Sequence, residues 1–185
     1  MAGVGRVEIR ALGAAAPWDQ PMLVLQETGG ARRCLPILIG EVEAHMIALA
    51  GDDDPPRRPM THQLLADIVT ALGVHVARVQ IIAVNEGLFT AEVVLTDPAI
   101  SHTTDPGPVP ELTVAARPSD AVAVALRLDC PIDVADSVLD TASLPASTVT
   151  STSGAGSIDG ADSIDEQVDQ LRDHLDRAIP DDFAG

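Results

Sequence analysis

One stretch leaves the fewest structural options: Ala115-Ala116-Arg117-Pro118-Ser119-Asp120-Ala121-Val122-Ala123-Val124-Ala125-Leu126-Arg127. It reads as a strand end, a turn and then a buried helix. Proline is tolerated in the first turn of a helix and not deep inside it. Ser119 is the expected N-cap, and Asp120 puts negative charge where the helix dipole favours it. The next six residues, Ala121 to Leu126, are all apolar, which suits a helix packed on most sides. Charged and hydroxyl groups thus gather at the mouth of an apolar helix, as a cap or as part of a site.

The rest of the chain supplies strands and helices around that stretch. Val4 to Leu12 reads as a first strand. Met22 to Gln26 and Arg32 to Ile39 read as a pair joined by Glu27-Thr28-Gly29-Gly30, a turn in which glycine supplies positive φ. Glu41 to Ala50 is helical, with Ala44, Ile47 and Ala48 on one face. Pro59 to Gly73 is a second helix, with Thr61 as N-cap, a stripe of Leu64, Leu65, Ile68 and Leu72, and Gly73 as its stop. Val74 to Asn85 and Leu88 to Thr96 form a hairpin about Glu86-Gly87. Residues 97–110 form an irregular loop, and Glu111 to Ala115 lead into the opening stretch. Ile132 and Val134 are expected to add a short edge strand before a helix over Ala135 to Leu139. The fold class is therefore α+β: a mixed, largely antiparallel sheet with about three packed helices, followed by a C-terminal amphipathic helix.

Domain boundaries follow from composition. Residues 1–142 form one domain. Residues 143–163 are a Ser/Thr/Gly linker, and residues 164–185 an acidic helical tail with Ile164, Val168, Leu171, Leu175 and Ile179 at three- and four-residue steps. The tail helix needs a surface: its own core, a neighbouring subunit or another partner.

Charge narrows the function. The formal net charge of the 185-residue chain is −17. Residues 141–185 contribute −7 and residues 1–140 contribute −10, so the folded part is acidic too. Such a chain repels phosphate backbones unless its arginines are grouped, and nucleic acid is a disfavoured though open partner. There is no lysine, which excludes Schiff-base chemistry and leaves anion contacts to Arg, His and backbone N–H groups. The two cysteines form no disulfide framework, and the first twelve residues hold no long apolar run. A reduced, cytoplasmic protein without a membrane span is the expectation.

No Walker-type loop, GxGxxG, CxxC or HExxH occurs. There is instead an echo. Arg58-Pro59-Met60-Thr61-His62 and Arg117-Pro118-Ser119-Asp120 both place Arg-Pro before a hydroxyl residue and a helix, and a third helix opens with Gly40-Glu41. If these N-termini converge, Arg58, Arg117 and free N–H groups can hold an anion; otherwise both are ordinary proline-initiated helix starts. His62 suits either proton transfer or a local hydrogen bond. Glu41 and Glu43 point to different sides of a helix, but together with Asp120 they could hold Mg²⁺, which needs only one or two carboxylates plus substrate phosphate.

Four segments in this order and spacing carry a resemblance: Leu35-Pro36-Ile37-Leu38-Ile39-Gly40-Glu41 with Glu43-Ala44; Arg58-Pro59-Met60-Thr61-His62-Gln63-Leu64-Leu65; Phe89-Thr90-Ala91; and Ala116-Arg117-Pro118-Ser119-Asp120-Ala121. Over about Val4 to Leu139 the chain resembles the bifunctional nuclease (BFN) domain family. The resemblance implies an α+β domain, a homo-oligomer, expected to be a dimer, and nuclease action on DNA and RNA. The positions that match the family's motifs are Glu41, Glu43, Arg58, Thr61, His62, Arg117, Ser119, Asp120 and Arg127. The family usually has Asp where this chain has Gln63 and Ala115.

The expected activity is phosphodiester cleavage. His62, Arg117 and Asp120 would be catalytic. Arg58, Thr61, Ser119 and Arg127 would bind substrate. Glu41, Glu43 and Asp120 would hold Mg²⁺ or Mn²⁺. The alternative is a non-catalytic oligomeric regulator that binds an anion at the same mouth.

Overall fold

The structure, a computed structural model, describes residues 3–15, 20–51, 58–96 and 111–148. The stretches expected to form the 97–110 loop, most of the linker and the tail helix lie outside these residues.

Three strands open the chain: β1 (Val4–Ala15), β2 (Gln20–Glu27) and β3 (Cys34–Leu38). They pair antiparallel in succession, Leu12 opposite Leu23 and Leu25 opposite Leu35. The β2–β3 turn uses Gly30 at φ 61°. Helices α1 (Glu41–Ala50) and α2 (Thr61–Ala71) follow, then β4 (His75–Asn85) and β5 (Leu88–Thr96). Glu86 and Gly87 turn the latter pair with φ of 50° and 77°, the doubly positive geometry that matches strand twist in two-residue hairpins. The described chain continues through β6 (Glu111–Ala116), α3 (Pro118–Leu128), β7 (Ile132–Ala135) and α4 (Asp136–Ala142). Beyond α4, Leu144 exchanges two backbone hydrogen bonds with Cys34, at 2.7 and 2.8 Å.

The seven strands form one mixed sheet, in the order β3-β2-β1-β7-β4-β5-β6, and only β4 and β7 run parallel. The α+β expectation therefore holds, with four helices in the described residues. α3 packs against α1, α2, β4 and β5. Its Ala121, Val122, Ala123, Val124 and Ala125 are buried, and small side chains at alternate positions let its backbone approach its neighbours. Leu23, Leu25, Leu35, Val79, Ile81, Val122 and Val134 belong to one continuous core built almost without aromatics.

Two local expectations need correction, and a third feature gains an orientation. Ile132 and Val134 do not form an edge strand. β7 lies mid-sheet, antiparallel to β1 and parallel to β4, and its Asp133 is buried against the Arg6 guanidinium at 2.5 Å. Apolar alternation reports burial but not a strand's place in the sheet order. The caps also differ. Met60 and Arg117 are the N-caps of α2 and α3, in extended conformation with no side-chain cap bond, so Thr61 and Ser119 lie inside the first turns. Finally, the apolar stripe of α2 faces away from the core. Leu64, Leu65, Ile68 and Leu72 are between 46% and 74% exposed, whereas Ala66 is buried. Periodicity identifies a face without saying what it faces.

Candidate functional site

α3 sets the site because its N-terminus is the meeting point of three helices. Arg117, its N-cap, has φ −73° and ψ 149°, and Pro118 starts the helix with its φ already fixed. Asp120 sits in the first turn. Arg117 donates to it through Nε at 2.8 Å and through Nη2 at 3.1 Å. The third arginine nitrogen, Nη1, donates to Glu43 Oε1 at 2.7 Å. Glu43 is in the first turn of α1, whose N-cap is Gly40. The Glu43 carboxylate folds back against Gly40 so closely that a Cβ there would collide with it. A third-position glutamate commonly turns back to its helix N-cap in this way.

α2 contributes the remaining member. His62 Nε2 lies 3.0 Å from Asp120 Oδ1. The first turns of α1, α2 and α3 are thus linked through Glu43, Arg117, Asp120 and His62. Carboxylates are favoured at these positive helix ends, and the arginine neutralises them where they crowd. Burial acts to raise the Asp120 carboxyl pKa, but hydrogen bonds from Arg117 and His62 outweigh it and hold it below the usual aspartate range. Asp120 is therefore an ionised acceptor at neutral pH. Hydrogen bonds to Asp120, then to Glu43, push the Arg117 guanidinium above the ordinary arginine range. Its side chain is nonetheless 64% exposed, so this cation stands at the mouth rather than in the core.

A second polar pair lies further along the α2–α3 contact. Arg127 Nη1 donates to Gln63 Oε1 at 2.8 Å, and Gln63 Nε2 donates to Asp67 Oδ1 at 2.7 Å. Asp120 and Arg127 are seven residues apart, two turns along the same side of α3, and consecutive residues of α2 reach them. Arg127 Nε and Nη2 and His62 Nδ1 are buried without a hydrogen-bond partner among the described residues.

Of the residues expected at the site, the structure brings together Glu43, His62, Arg117 and Asp120. Glu41 is exposed at the start of α1 and makes no bond to this network. Arg58 and Thr61 are exposed, also without a bond to it among the described residues. Ser119 is buried within the first turn of α3. Arg127 pairs with Gln63 rather than joining Arg117. Among the described residues no three metal-binding side chains group together. Glu43 and Asp120 are bridged by Arg117, whose guanidinium occupies the place between them that a cation would need. As arranged, these residues do not fit a divalent ion.

Ala115 lies opposite Glu92 on β5. An acid there would face Glu92 across the ladder, and like charges directly opposite destabilise a sheet. The role of Gln63 as the partner of Arg127 was not apparent in the sequence, because the two residues are 64 apart.

Fold and site together define an α+β domain in which three helix N-termini share one charged mouth. A model of the bifunctional nuclease domain matches residues 23–147, which span all of these elements except β1 and the start of β2. The chain belongs to the bifunctional nuclease domain family. It is 34% identical over 180 residues to uncharacterized proteins from two strains of Mycobacterium tuberculosis, covering 97% of this chain and 98% of each relative. It is also 30% identical over 115 residues to bifunctional nuclease 2 of Oryza sativa subsp. japonica, covering 62% of this chain and 33% of the rice protein. No helix among the described residues is long and apolar enough to cross a membrane.

Proposed function

We propose that the chain is a nuclease that cleaves phosphodiester bonds of DNA or RNA at the mouth formed by α1, α2 and α3. The observation that carries this reading is Arg117, a largely exposed cation held at three converging helix N-termini. Helix N-termini attract phosphate oxygens through free N–H groups and dipole. An arginine aimed at the same point can stabilise the charge that develops on a transferring phosphoryl group. Arg117 would meet a non-bridging oxygen by exchanging its Glu43 bond for one to the phosphate. His62 would carry the proton, and ionised Asp120 would orient it. His62 Nε2 faces Asp120 and Nδ1 is buried, so proton transfer to a substrate requires the mouth to open. Mg²⁺ or Mn²⁺ could use Glu43 and Asp120 only after Arg117 swings away, and no step here depends on such an ion. The acidic surface keeps long backbones off the remainder of the protein, so substrate contact is confined to the mouth. Cys34 and Cys130 are free thiols, in keeping with a reduced, cytoplasmic setting.

A second reading draws on the completeness of the network. All three guanidinium nitrogens of Arg117 are already bonded to carboxylates. In that reading the network is a clasp that fixes three helices in a non-catalytic regulator. The two are separated by a nuclease assay on highly purified full-length protein, with and without Mg²⁺ or Mn²⁺, beside Asp120→Ala. The nuclease reading expects cleavage by the parent and loss of cleavage in a variant that still melts cooperatively. Equal cleavage by both would place the activity elsewhere.

A further inference from the structure

We propose that α2 is a latch over the charged mouth, hinged at Gly73 and released at its N-terminal end. The four helices are held very differently. α1 buries Met46 and Ile47, α3 buries a run that includes Ala121 to Ala125, and α4 buries Val138 and Leu139, whereas α2 buries Ala66 alone. The large apolar side chains of α2, Leu64, Leu65, Ile68 and Leu72, point outward instead. Lifting α2 off α3, its chief neighbour, therefore uncovers little apolar surface that is not exposed already. Elements with few buried apolar contacts open locally, at less cost than global unfolding.

The two ends of α2 are unlike. At the C-terminal end the Gly73 N–H donates to the Thr70 carbonyl at 3.0 Å and the Val74 N–H to the Val69 carbonyl at 3.2 Å, a glycine-terminated turn that fastens the helix to the start of β4. Gly73 has φ 73°, and a Cβ there would meet nothing within 4 Å. A cavity of about 330 Å³, lined by Val69, Gly73, His75 and Leu128 among others, lies beside it and gives the pivot room to turn. At the N-terminal end two side chains hold α2 down, His62 against Asp120 at 3.0 Å and Gln63 against Arg127 at 2.8 Å. Neither hold is complete. His62 Nδ1 and Arg127 Nε and Nη2 are buried there with no hydrogen-bond partner among the described residues. A buried polar group left unpaired costs at least as much as one hydrogen bond contributes, and opening lets water reach all three atoms.

The closed latch accounts for the blocked mouth. With α2 down, His62 Nε2 is held by Asp120 and Nδ1 is shut away from solvent. With α2 lifted, both ring nitrogens are freed and a phosphate can enter between His62 and Arg117. That use of the motion rests on the nuclease reading, whereas the motion itself does not. Gln63 sets the balance, because it offers Arg127 an amide oxygen where a carboxylate would bind the guanidinium more strongly. Gln63→Glu supplies that carboxylate and gives up only the exposed bond from Gln63 to Asp67.

Hydrogen exchange on the full chain tests the latch. Relative to their unstructured rates, the amides of residues 65–71 in α2 should exchange about 100-fold faster than those of residues 122–126 in α3. Low concentrations of urea should leave the α2 rates nearly unchanged, because local opening exposes little surface, and should speed the α3 rates. Gln63→Glu should slow α2 exchange about tenfold. Carbethoxylation of His62, followed by mass spectrometry, should slow by the same factor in that variant, since the ring reacts only when the latch is open. The proposal is overturned if the α2 amides exchange as slowly as those of α3 and with the same response to urea. It is overturned equally if Gln63→Glu changes neither α2 exchange nor the labelling of His62. Both measurements are made without nucleic acid. A parent that shows the expected opening and cleaves nothing would count against the nuclease reading and not against the latch.

Discussion

Arg117 Nη1 donates to Glu43 Oε1 at 2.7 Å across 74 residues of sequence. That bond fastens the start of α3 to the start of α1, and the same guanidinium holds Asp120 within its own helix. Because Arg117 is mostly exposed, solvent screening keeps the pair modest in energy. A double-mutant cycle of Arg117→Ala and Glu43→Ala should give a coupling of about 0.5–1 kcal/mol in urea unfolding. A coupling near zero would mean that the bond does not persist in solution.

Gln63 has a more costly role. Among the described residues it gives Arg127 its one hydrogen bond, while two other nitrogens of that guanidinium stay buried without a partner there. Gln63→Ala removes the remaining acceptor and should destabilise the protein by about 1–3 kcal/mol, the usual cost of a buried donor left unpaired. Thermal melts at neutral pH measure this. A loss within experimental error would show that water already reaches Arg127.

Glu27 anchors the β2–β3 turn from a buried position. It accepts from the Arg33 backbone N–H at 2.9 Å, from Nε at 3.0 Å and from Nη2 at 3.0 Å. Arg33 also reaches Asp140 Oδ1 on α4 at 2.6 Å, so the cluster ties the turn to the last described helix. The hydrogen bond from Arg33 holds the Glu27 carboxyl below the usual glutamate range, against the effect of burial. Glu27→Ala should cost about 1–3 kcal/mol, because it removes three hydrogen bonds and leaves a partly buried arginine with Asp140 as its remaining acidic partner among the described residues. The midpoint of urea unfolding should fall accordingly, with the slope unchanged.

Asp120 gives a pH signature. Its folded-state pKa is depressed, so the stability it contributes is complete above the ordinary aspartate value and fades as pH falls through the lower folded value. The unfolding free-energy difference between the parent and Asp120→Asn should be constant above about pH 5 and should shrink toward zero below about pH 3. Measuring the difference cancels the relief of general repulsion that acid brings to so negative a chain. A difference that grew on acidification would reverse the sign and contradict the ionised, bonded carboxylate.

Much of this arrangement was legible in the residues. The two Arg-Pro words, each followed by a hydroxyl residue, and Gly40-Glu41 marked three helix starts, and the idea that they converge followed from the electrostatics of helix ends. The hairpin about Glu86-Gly87 was fixed by local turn chemistry. Legibility stopped where long-range geometry decides. Glu41 and Glu43 are equivalent in a sequence, yet only Glu43 turns back over Gly40 toward Arg117. Arg58 and Arg117 occupy matching words, but only Arg117 joins the network among the described residues. Ser119 looked like the cap because of its hydroxyl, whereas Pro118 at the first helical position moves the cap back to Arg117. The stripe of α2 was legible but not its orientation, because small and polar residues such as Ala66 and His62 can form an inner face when the neighbouring helix supplies the bulk. β7 looked like an edge because a four-residue strand carries too little pattern to show two neighbours.

The central claim is that Arg117 acts on phosphate at the meeting point of three helices. Single-turnover cleavage of end-labelled single-stranded DNA and RNA by the highly purified full chain tests it most directly, with Arg117→Ala alongside. The expected result is cleavage by the parent and a loss of about 100-fold or more in the variant, the scale seen when a group that stabilises transition-state charge is removed. Cleavage at the same rate by both proteins, or by neither, would contradict it.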